Sequence, residues 1–159
     1  MAPHSHKLLA DLERIALAGD ARVPSLQAVA DLLRDAGGYR WAGLYDVDHA
    51  AGAVRIIVWS GSGSPAFPTF PITKGLTSAV VSGLGTINVG DVASDPRYLT
   101  AFGTTRSEII VPVFDKEGNV VGTIDIESEH LNAFGPEVQA LLEASSRVIR
   151  PLWFKAARE

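Results

Sequence analysis

The strongest constraint on the fold is a hairpin pattern in the last third of the 159-residue chain. Residues 108–114 and 120–127 are strand-like, and the segment 115–119 between them, Asp-Lys-Glu-Gly-Asn, has the composition of a turn. A similar pair, residues 41–47 and 54–59, flanks a second turn-rich segment. Each pair therefore predicts two antiparallel strands joined by a short turn.

Apolar residues at helical spacing precede and follow these strands. Near the N-terminus they form two sets, Leu8, Leu9, Leu12, Ile15 and Ala16 and then Leu26, Val29, Ala30, Leu32 and Leu33. We assign Ser25 as the N-cap of the second helix, and Gly37 and Gly38 mark its end. A third helix is predicted from Pro136, and Pro151 should kink or end it. Helices at both ends with hairpins between them predict an α+β fold.

The middle of the chain gives weaker signals. Residues 61–71 and 91–106 are rich in turn-forming residues and are predicted to be irregular, with no regular element in the first of them. Between these segments we expect a short helix at 76–81 and a short strand at 86–89.

Composition and charge narrow the class of protein. With 14 Lys and Arg against 18 Asp and Glu, the net charge of −4 does not favour nucleic acid as a partner. The longest apolar run, residues 109–114, is too short to cross a membrane, and the first residues do not resemble a signal peptide, so we expect no membrane contact and a cytoplasmic protein.

We expect one domain at residues 25–150, with 1–24 as an N-terminal helix and 151–159 as the tail of the last helix.

The chain contains no cysteine. It therefore has no disulfide, no thiolate metal site, no thiol nucleophile and no thioether-linked chromophore. The sequence also has no phosphate loop, dinucleotide fingerprint, nucleophile elbow or two-histidine metal helix. We assign no catalytic residue, cofactor or metal from these patterns.

Acidic residues near the last strand form the candidate site. Asp125 and Glu127 share one face of that strand with Thr123. If Glu108 on the preceding strand lies on the same side, three carboxylates converge. Carboxylates gathered away from water repel each other and lose hydration, so they need a cation, such as the ammonium group of a ligand, or several donors. The same acids could instead lie on a solvent-exposed sheet face, or bind a metal together with His130.

Aromatic residues concentrate around the first hairpin and the two irregular segments. Trp41 and Trp59 are favoured as core residues. Aromatic residues in loops need a reason to be ordered, and four of them are predicted to form the lid and wall of a pocket over the sheet, namely Phe67, Phe70, Tyr98 and Phe102. Near the C-terminus, Trp153 and Phe154 are either anchors for a partner or packed against the chain's own sheet.

Four segments together resemble a GAF domain. They are 88–92 (Asn-Val-Gly-Asp-Val), 95–98 (Asp-Pro-Arg-Tyr), 106–113 (Arg-Ser-Glu-Ile-Ile-Val-Pro-Val) and 118–128 (Gly-Asn-Val-Val-Gly-Thr-Ile-Asp-Ile-Glu-Ser), followed by His130, Asn132, Ala133 and Phe134. The resemblance extends over residues 25–148. It implies a six-stranded antiparallel sheet backed by N- and C-terminal helices, a ligand cavity on the opposite face, and dimerisation through the helices.

Within this family the chain resembles the free methionine-R-sulfoxide reductases. In that group a Ser-Glu pair and an Asp-x-Asp sequence hold the amino group of the substrate. The resemblance places the pair at residues 107–108 and the second motif at 125–127, with Glu replacing one Asp, and it places pocket aromatics at Trp41 and Tyr45. With two loop aromatics added, the candidate ligand-binding residues are Trp41, Tyr45, Phe67, Tyr98, Ser107, Glu108, Asp125 and Glu127.

The resemblance also indicates which residues of this chain stand at the positions of the family's cysteines. The three cysteines of that group correspond to Phe67, Thr77 and Ala101 here. Their reaction needs a thiolate that attacks sulfur and a second thiol that resolves the intermediate, and a threonine hydroxyl replaces neither.

The sequence therefore predicts a sensory or regulatory protein that binds a small amine-bearing or cationic molecule. A homodimer, or a protein partner not yet identified, would carry the signal onward. The alternative is an enzyme that retains the cavity but has changed its chemistry, with Glu108, Asp125 or His130 as acid or base.

Overall fold

The regular elements follow the predicted order in the computed structural model, which describes residues 3–18, 21–100 and 102–154. The helices are α1 (Pro3–Leu17), α2 (Arg22–Gly37), α3 (Gly75–Ala79) and α4 (Pro136–Ile149). The strands are β1 (Trp41–Asp48), β2 (Ala53–Gly61), β3 (Thr69–Pro71), β4 (Ile87–Val89), β5 (Ser107–Phe114) and β6 (Val120–Ser128). A π-helical turn at Val80–Leu84 and 3₁₀ turns at Val92–Ser94 and Arg150–Trp153 complete the set.

The six strands form one antiparallel sheet in the order β3-β2-β1-β6-β5-β4. Both predicted hairpins are present, and their inner strands β1 and β6 pair with each other at the centre. The GAF-like α+β fold predicted from the sequence is confirmed.

The two faces of this sheet have different compositions because side chains alternate along each strand. Ile109 and Val111 of β5 and Ile124 and Ile126 of β6 point to the side covered by α1, α2 and α4, where they are completely or almost completely buried. The acids of the same strands, and Trp41 and Tyr45 of β1, which lie opposite Glu127 and Thr123 of β6, point to the opposite side. That side is covered by α3 and the two long loops.

The start of α2 differs from the prediction. The helix begins at Arg22 with Ala21 as its N-cap, whereas Ser25 lies inside the first turns and is buried. Ser25 therefore faces the core, and its cap-like sequence position was misleading. The predicted end is confirmed, since Gly38 adopts the left-handed conformation with a φ of 62°. The helix spans the proposed domain boundary at residue 25, so the division of the chain into 1–24, 25–150 and 151–159 stays a prediction.

A short edge strand corrects the prediction that residues 61–71 contain no regular element. In β3, Phe70 lies opposite Val54 of β2, and its ring packs edge-on against Tyr45. Pro71 is tolerated because an edge strand has one row of backbone groups that needs no partner. Packing of the partly buried Phe70 ring thus favours a strand here, although the local composition is typical of a turn.

The chain folds back onto its own sheet after α4. The helix ends at Ile149, in agreement with the predicted effect of Pro151. Trp153 is buried and its Nε1 donates a hydrogen bond of 3.2 Å to the carbonyl oxygen of Tyr45, whereas Phe154 is 54% exposed. Of these two candidate anchors, Trp153 is therefore a core residue, and Phe154 is exposed and can contact another molecule.

The helices of the described segments are too short or too polar to span a lipid bilayer.

The substitution Gly122→Ala should destabilise the fold. A Cβ at this position would clash with the Trp153 indole and would lie 2.7 Å from the carbonyl oxygen of Tyr45. We expect a loss of about 1–3 kcal/mol in the free energy of unfolding, measured by urea denaturation. Gly103→Ala is the control, since its Cβ would meet nothing within 4 Å. Equal stability of the two variants would contradict the packing role of Trp153.

Candidate functional site

Three carboxyl groups meet on the loop-covered face of the sheet. Strand register places Glu108 of β5 opposite Glu127 of β6. Asp125 lies two residues before Glu127 on β6 and therefore points to the same face. Glu108, Asp125 and Glu127, which we call the acidic trio, are 6%, 8% and 1% exposed. The alternative of a solvent-exposed acidic face is therefore wrong.

The acidic trio has very few partners within the protein. Of the ion pairs formed among residues 3–18, 21–100 and 102–154, none includes a member of the trio. The hydroxyl of Tyr98 donates a hydrogen bond of 3.0 Å to Oε1 of Glu127. Oδ1 of Asp125 and Oγ1 of Thr123, on the same strand face, are buried without a hydrogen-bond partner. A buried oxygen without a donor costs free energy, so these two oxygens indicate a place for a donor from outside the chain.

Burial raises the pKa of each member of the acidic trio. It raises the pKa of Asp125 to about 6, although a hydrogen bond with the Glu108 carboxyl lowers this pKa. The pKa of Glu127 rises to about 8, from burial first and from repulsion by Asp125 second. The pKa of Glu108 is well above its usual range for the same two reasons. Near neutral pH the acidic trio therefore holds protons that an unfolded chain would have released.

A small cavity of about 40 Å³, partly open to solvent, lies above the acidic trio. The trio lines it together with Tyr45, Gly75 and Thr77. The remaining wall is apolar and consists of Pro65, Phe67, Phe70, Leu76, Leu99 and Ile110. The cavity thus combines an acidic base with an apolar wall, which suits a small molecule that is cationic at one end.

Tyr45 and Trp41 occupy different layers beside this cavity. The Tyr45 ring lines the cavity, and burial and the nearby carboxylates raise the pKa of its hydroxyl. Trp41 is 1% exposed and does not line the cavity. Its Nε1 donates a hydrogen bond of 3.3 Å to the carbonyl oxygen of Gly63, and its ring packs against Phe102. Trp41 therefore supports the loop after β2 and is a core residue, which is one of its two predicted roles. Its predicted role in ligand binding is not supported by the cavity lining and stays a prediction.

Two of the four loop aromatics that were predicted to form the lid and wall of the pocket line the cavity, and two do not. Phe67 and Phe70 line the cavity, and Phe67 lies at its rim with 42% exposure. Tyr98 contributes its hydroxyl to Glu127. Phe102 lies outside the cavity, where its ring packs between Trp41 and the guanidinium of Arg40, which is 4.5 Å from the ring centroid.

Ser107 is separated from the cavity by strand alternation. Its hydroxyl donates a hydrogen bond of 2.6 Å to the carbonyl oxygen of His130 and accepts one of 3.4 Å from the N–H of Ala133. Ser107 thus orders the loop after β6, while its neighbour Glu108 faces the cavity. His130 itself is exposed. Within the described part of the chain, no three His, Asp or Glu side chains are arranged to hold a metal ion.

Two of the three positions that the resemblance assigns to cysteines lie at the cavity. Thr77 is buried in its wall and Phe67 is at its rim, while Ala101 lies outside the described residues. Leu99, which closes over Gly75, was not predicted from the sequence to lie at the cavity. A Cβ on Gly75, where φ is 71°, would lie 2.9 Å from the Leu99 side chain. No sequence pattern signals this contact, whereas Ile110 could have been found from its place on the same strand face as Glu108.

A family model of the GAF domain matches residues 23–150, and the chain therefore belongs to the GAF domain family. Among curated proteins it is similar to free methionine-R-sulfoxide reductase of Saccharomyces cerevisiae (strain ATCC 204508 / S288c), with 30% identity over 109 residues, which are 69% of this chain and 60% of the yeast protein. The chain thus spans less than two thirds of that relative.

Solved structures give the same relationship. The X-ray structure of free methionine-R-sulfoxide reductase from Neisseria meningitidis in complex with its substrate superimposes with a TM-score of 0.85 at 27% identity, and the match covers 94% of this chain and 88% of that one. The type II free methionine-R-sulfoxide reductase from Thermoplasma acidophilum gives a TM-score of 0.76 at 31% identity, over 89% and 94% of the two chains.

The acidic trio should make the ligand-free protein less stable as pH rises. Folded Glu127 keeps its proton up to about pH 8, whereas the unfolded carboxyl loses it near pH 4.5. Between these values, raising the pH favours the unfolded chain by about 1.4 kcal/mol per pH unit for each retained proton. Glu127→Gln should remove part of this slope between pH 6 and 8, as measured by urea denaturation.

The control for this experiment is Glu117→Gln, at an exposed position in the β5–β6 turn. It should leave the slope of the parent protein unchanged. A slope in Glu127→Gln equal to that of the parent would show that Glu127 does not hold a proton in the folded state.

Proposed function

We propose that this GAF protein is a sensory or regulatory protein whose cavity binds a small molecule through an ammonium or other cationic group. The observation that carries the proposal is the unpartnered Oδ1 of Asp125, which is buried at a cavity that two further carboxyl groups also line. A cation with N–H donors supplies both what this oxygen lacks and the charge that the acidic trio needs.

The absence of cysteine supports binding without thiol chemistry. Reduction of a sulfoxide by the thiol route needs a thiolate nucleophile and a resolving thiol, and the chain has neither. Thr77 supplies a hydroxyl at the cavity wall, where a much higher pKa than that of a thiol prevents the same reaction at neutral pH.

A homodimer or a further protein partner, in the cytoplasm, belongs to the same proposal. Leu17 at the end of α1 and Phe154 after α4 are 73% and 54% exposed, and they support a contact surface beside the terminal helices.

An acid–base enzyme is the second candidate function. It is favoured by the pKa values of about 6 for Asp125 and about 8 for Glu127, which lie on either side of neutral pH. Turnover of any substrate with a pH–rate profile that collapses in Glu108→Gln would support the enzyme over the binding protein.

Calorimetry with a panel of primary amines tests the binding proposal. We expect at least one amine to bind, with affinity that increases as pH rises from 6 to 8 because a cation favours the ionised carboxylates. Asp125→Asn should weaken binding about ten- to a hundredfold, the effect of losing one charged hydrogen-bond acceptor. Glu117→Gln, far from the cavity in the β5–β6 turn, should bind like the parent. Equal affinity of the parent and Asp125→Asn would contradict the role of the acidic trio.

Thiol-dependent reduction provides a separate test. Incubation of the protein with L-methionine-R-sulfoxide and dithiothreitol should consume no more sulfoxide than the reductant alone, as measured by chromatography of the product. Protein-dependent reduction at a rate proportional to enzyme concentration would contradict the assignment of binding without thiol chemistry.

A further inference from the structure

We propose that the cavity holds the ammonium group of its ligand together with no more than about two carbon atoms, and that the ring of Phe67 sets this limit. This inference rests on the proposed function, because it concerns the size of the ligand in the same cavity. It follows from the volume of the cavity and from the position of Phe67 in its wall.

The cavity has room for roughly one or two groups of the size of a water molecule. Its volume is about 40 Å³, whereas one molecule occupies about 30 Å³ in liquid water. An ammonium group is close to water in size and belongs beside the acidic trio, where Oδ1 of Asp125 is buried without a hydrogen-bond partner. The remaining volume suffices for a short hydrocarbon body, and a longer body has to extend past the rim into solvent.

Most of the cavity wall is packed against the rest of the protein. Tyr45 and Ile110 on the sheet and Leu76 of α3 are buried, as are the three acids. Leu99 is already in tight contact with Gly75, where even a Cβ would lie 2.9 Å from the leucine side chain. Because protein interiors are close-packed, these walls do not recede freely to admit a larger ligand.

Phe67 is the exposed part of the wall. Of the residues that line the cavity, it alone is exposed, with 42% of its surface accessible, and the others are buried or half-buried. The backbone beside it is held in place, because the N–H of Ile56 donates a hydrogen bond of 2.8 Å to the carbonyl oxygen of Pro68. The Phe67 ring is therefore placed at the rim, and its truncation would add volume where the cavity opens to solvent.

The departures of this chain from the sequence it resembles support the same limit. Phe67 and Thr77 stand at positions to which the resemblance assigns the smaller residue cysteine, and Glu127 stands in place of the shorter Asp. All three residues line the cavity, so each departure adds side-chain volume there. The place for an amino group can therefore be shared with the related reductases, while less space is left for the body of the ligand.

Two straight-chain primary amines test the size limit on the intact protein at pH 8. The ligands are ethylamine and butylamine, and their dissociation constants are measured by calorimetry. Each methylene that is buried tightens binding about fourfold, whereas a methylene that lies in solvent adds almost nothing. We therefore expect butylamine to bind less than fivefold more tightly than ethylamine, whereas burial of its two additional methylenes would give about fifteenfold.

Truncation of the rim residue tests the role of Phe67. Phe67→Ala should raise the preference for butylamine over ethylamine at least threefold above that of the parent, because the vacated space receives the longer chain. Phe114→Ala is the matched control, since Phe114 is also 42% exposed and does not line the cavity. This control should keep the preference of the parent protein, and equal preferences in the two variants would overturn the role of Phe67.

The possible results separate the two proposals. If butylamine binds the parent protein fivefold or more tightly than ethylamine, the size limit is overturned while the cavity remains a cation site. The same conclusion follows if neither of the two amines binds but a larger amine of the wider panel does. If no amine of any length binds, the proposed function fails and the inference fails with it.

Discussion

The register of the three central strands determines both the core and the site. With Ile109 opposite Ile126, the fully buried side chains of Ile109, Ile124 and Ile126 face the helices, and Glu108 and Glu127 share the other face. A slip of one residue would place carboxylates in the helical core and isoleucines in the cavity. Burial of the large apolar face therefore fixes the position of the acids, although burial of the acids is itself unfavourable.

This arrangement explains how a destabilising cluster is maintained. Ile109, Ile124 and Ile126 are 0% exposed, and burial of such side chains contributes about 1.5–3 kcal/mol each. The acidic trio, by contrast, has a hydrogen bond from Tyr98, a hydrogen bond between Glu108 and Asp125, and no ion pair among the described residues. The core thus holds the carboxyl groups in position before any ligand arrives, which reduces the conformational cost of binding.

The sequence predicted the parts of the molecule that depend on periodicity. Both hairpins, the facing of Asp125 and Glu127, and the end of α2 at Gly38 followed from alternation or from local backbone preferences. Predictions failed where tertiary contacts override local composition. Ser25 is buried within a helix and does not cap it, and Phe70 draws a Pro-rich segment into the sheet through its contact with Tyr45. Leu99 reaches the cavity from a loop, whose path no sequence period describes.

The side chains at the cavity favour binding of a cation over thiol chemistry. A buried carboxyl group that lacks a cation is less favourable than an apolar side chain of similar volume, so the acidic trio does not serve stability. Thr77 at the wall offers no thiol, and the acids of the base cannot replace one, because a carboxylate does not exchange with a disulfide. What the trio can do is attract and orient positive charge, and the apolar wall then decides what body that charge carries. The GAF domain, the unpartnered oxygen of Asp125 and the absence of cysteine therefore support the proposal of a cationic ligand that is bound without being reduced.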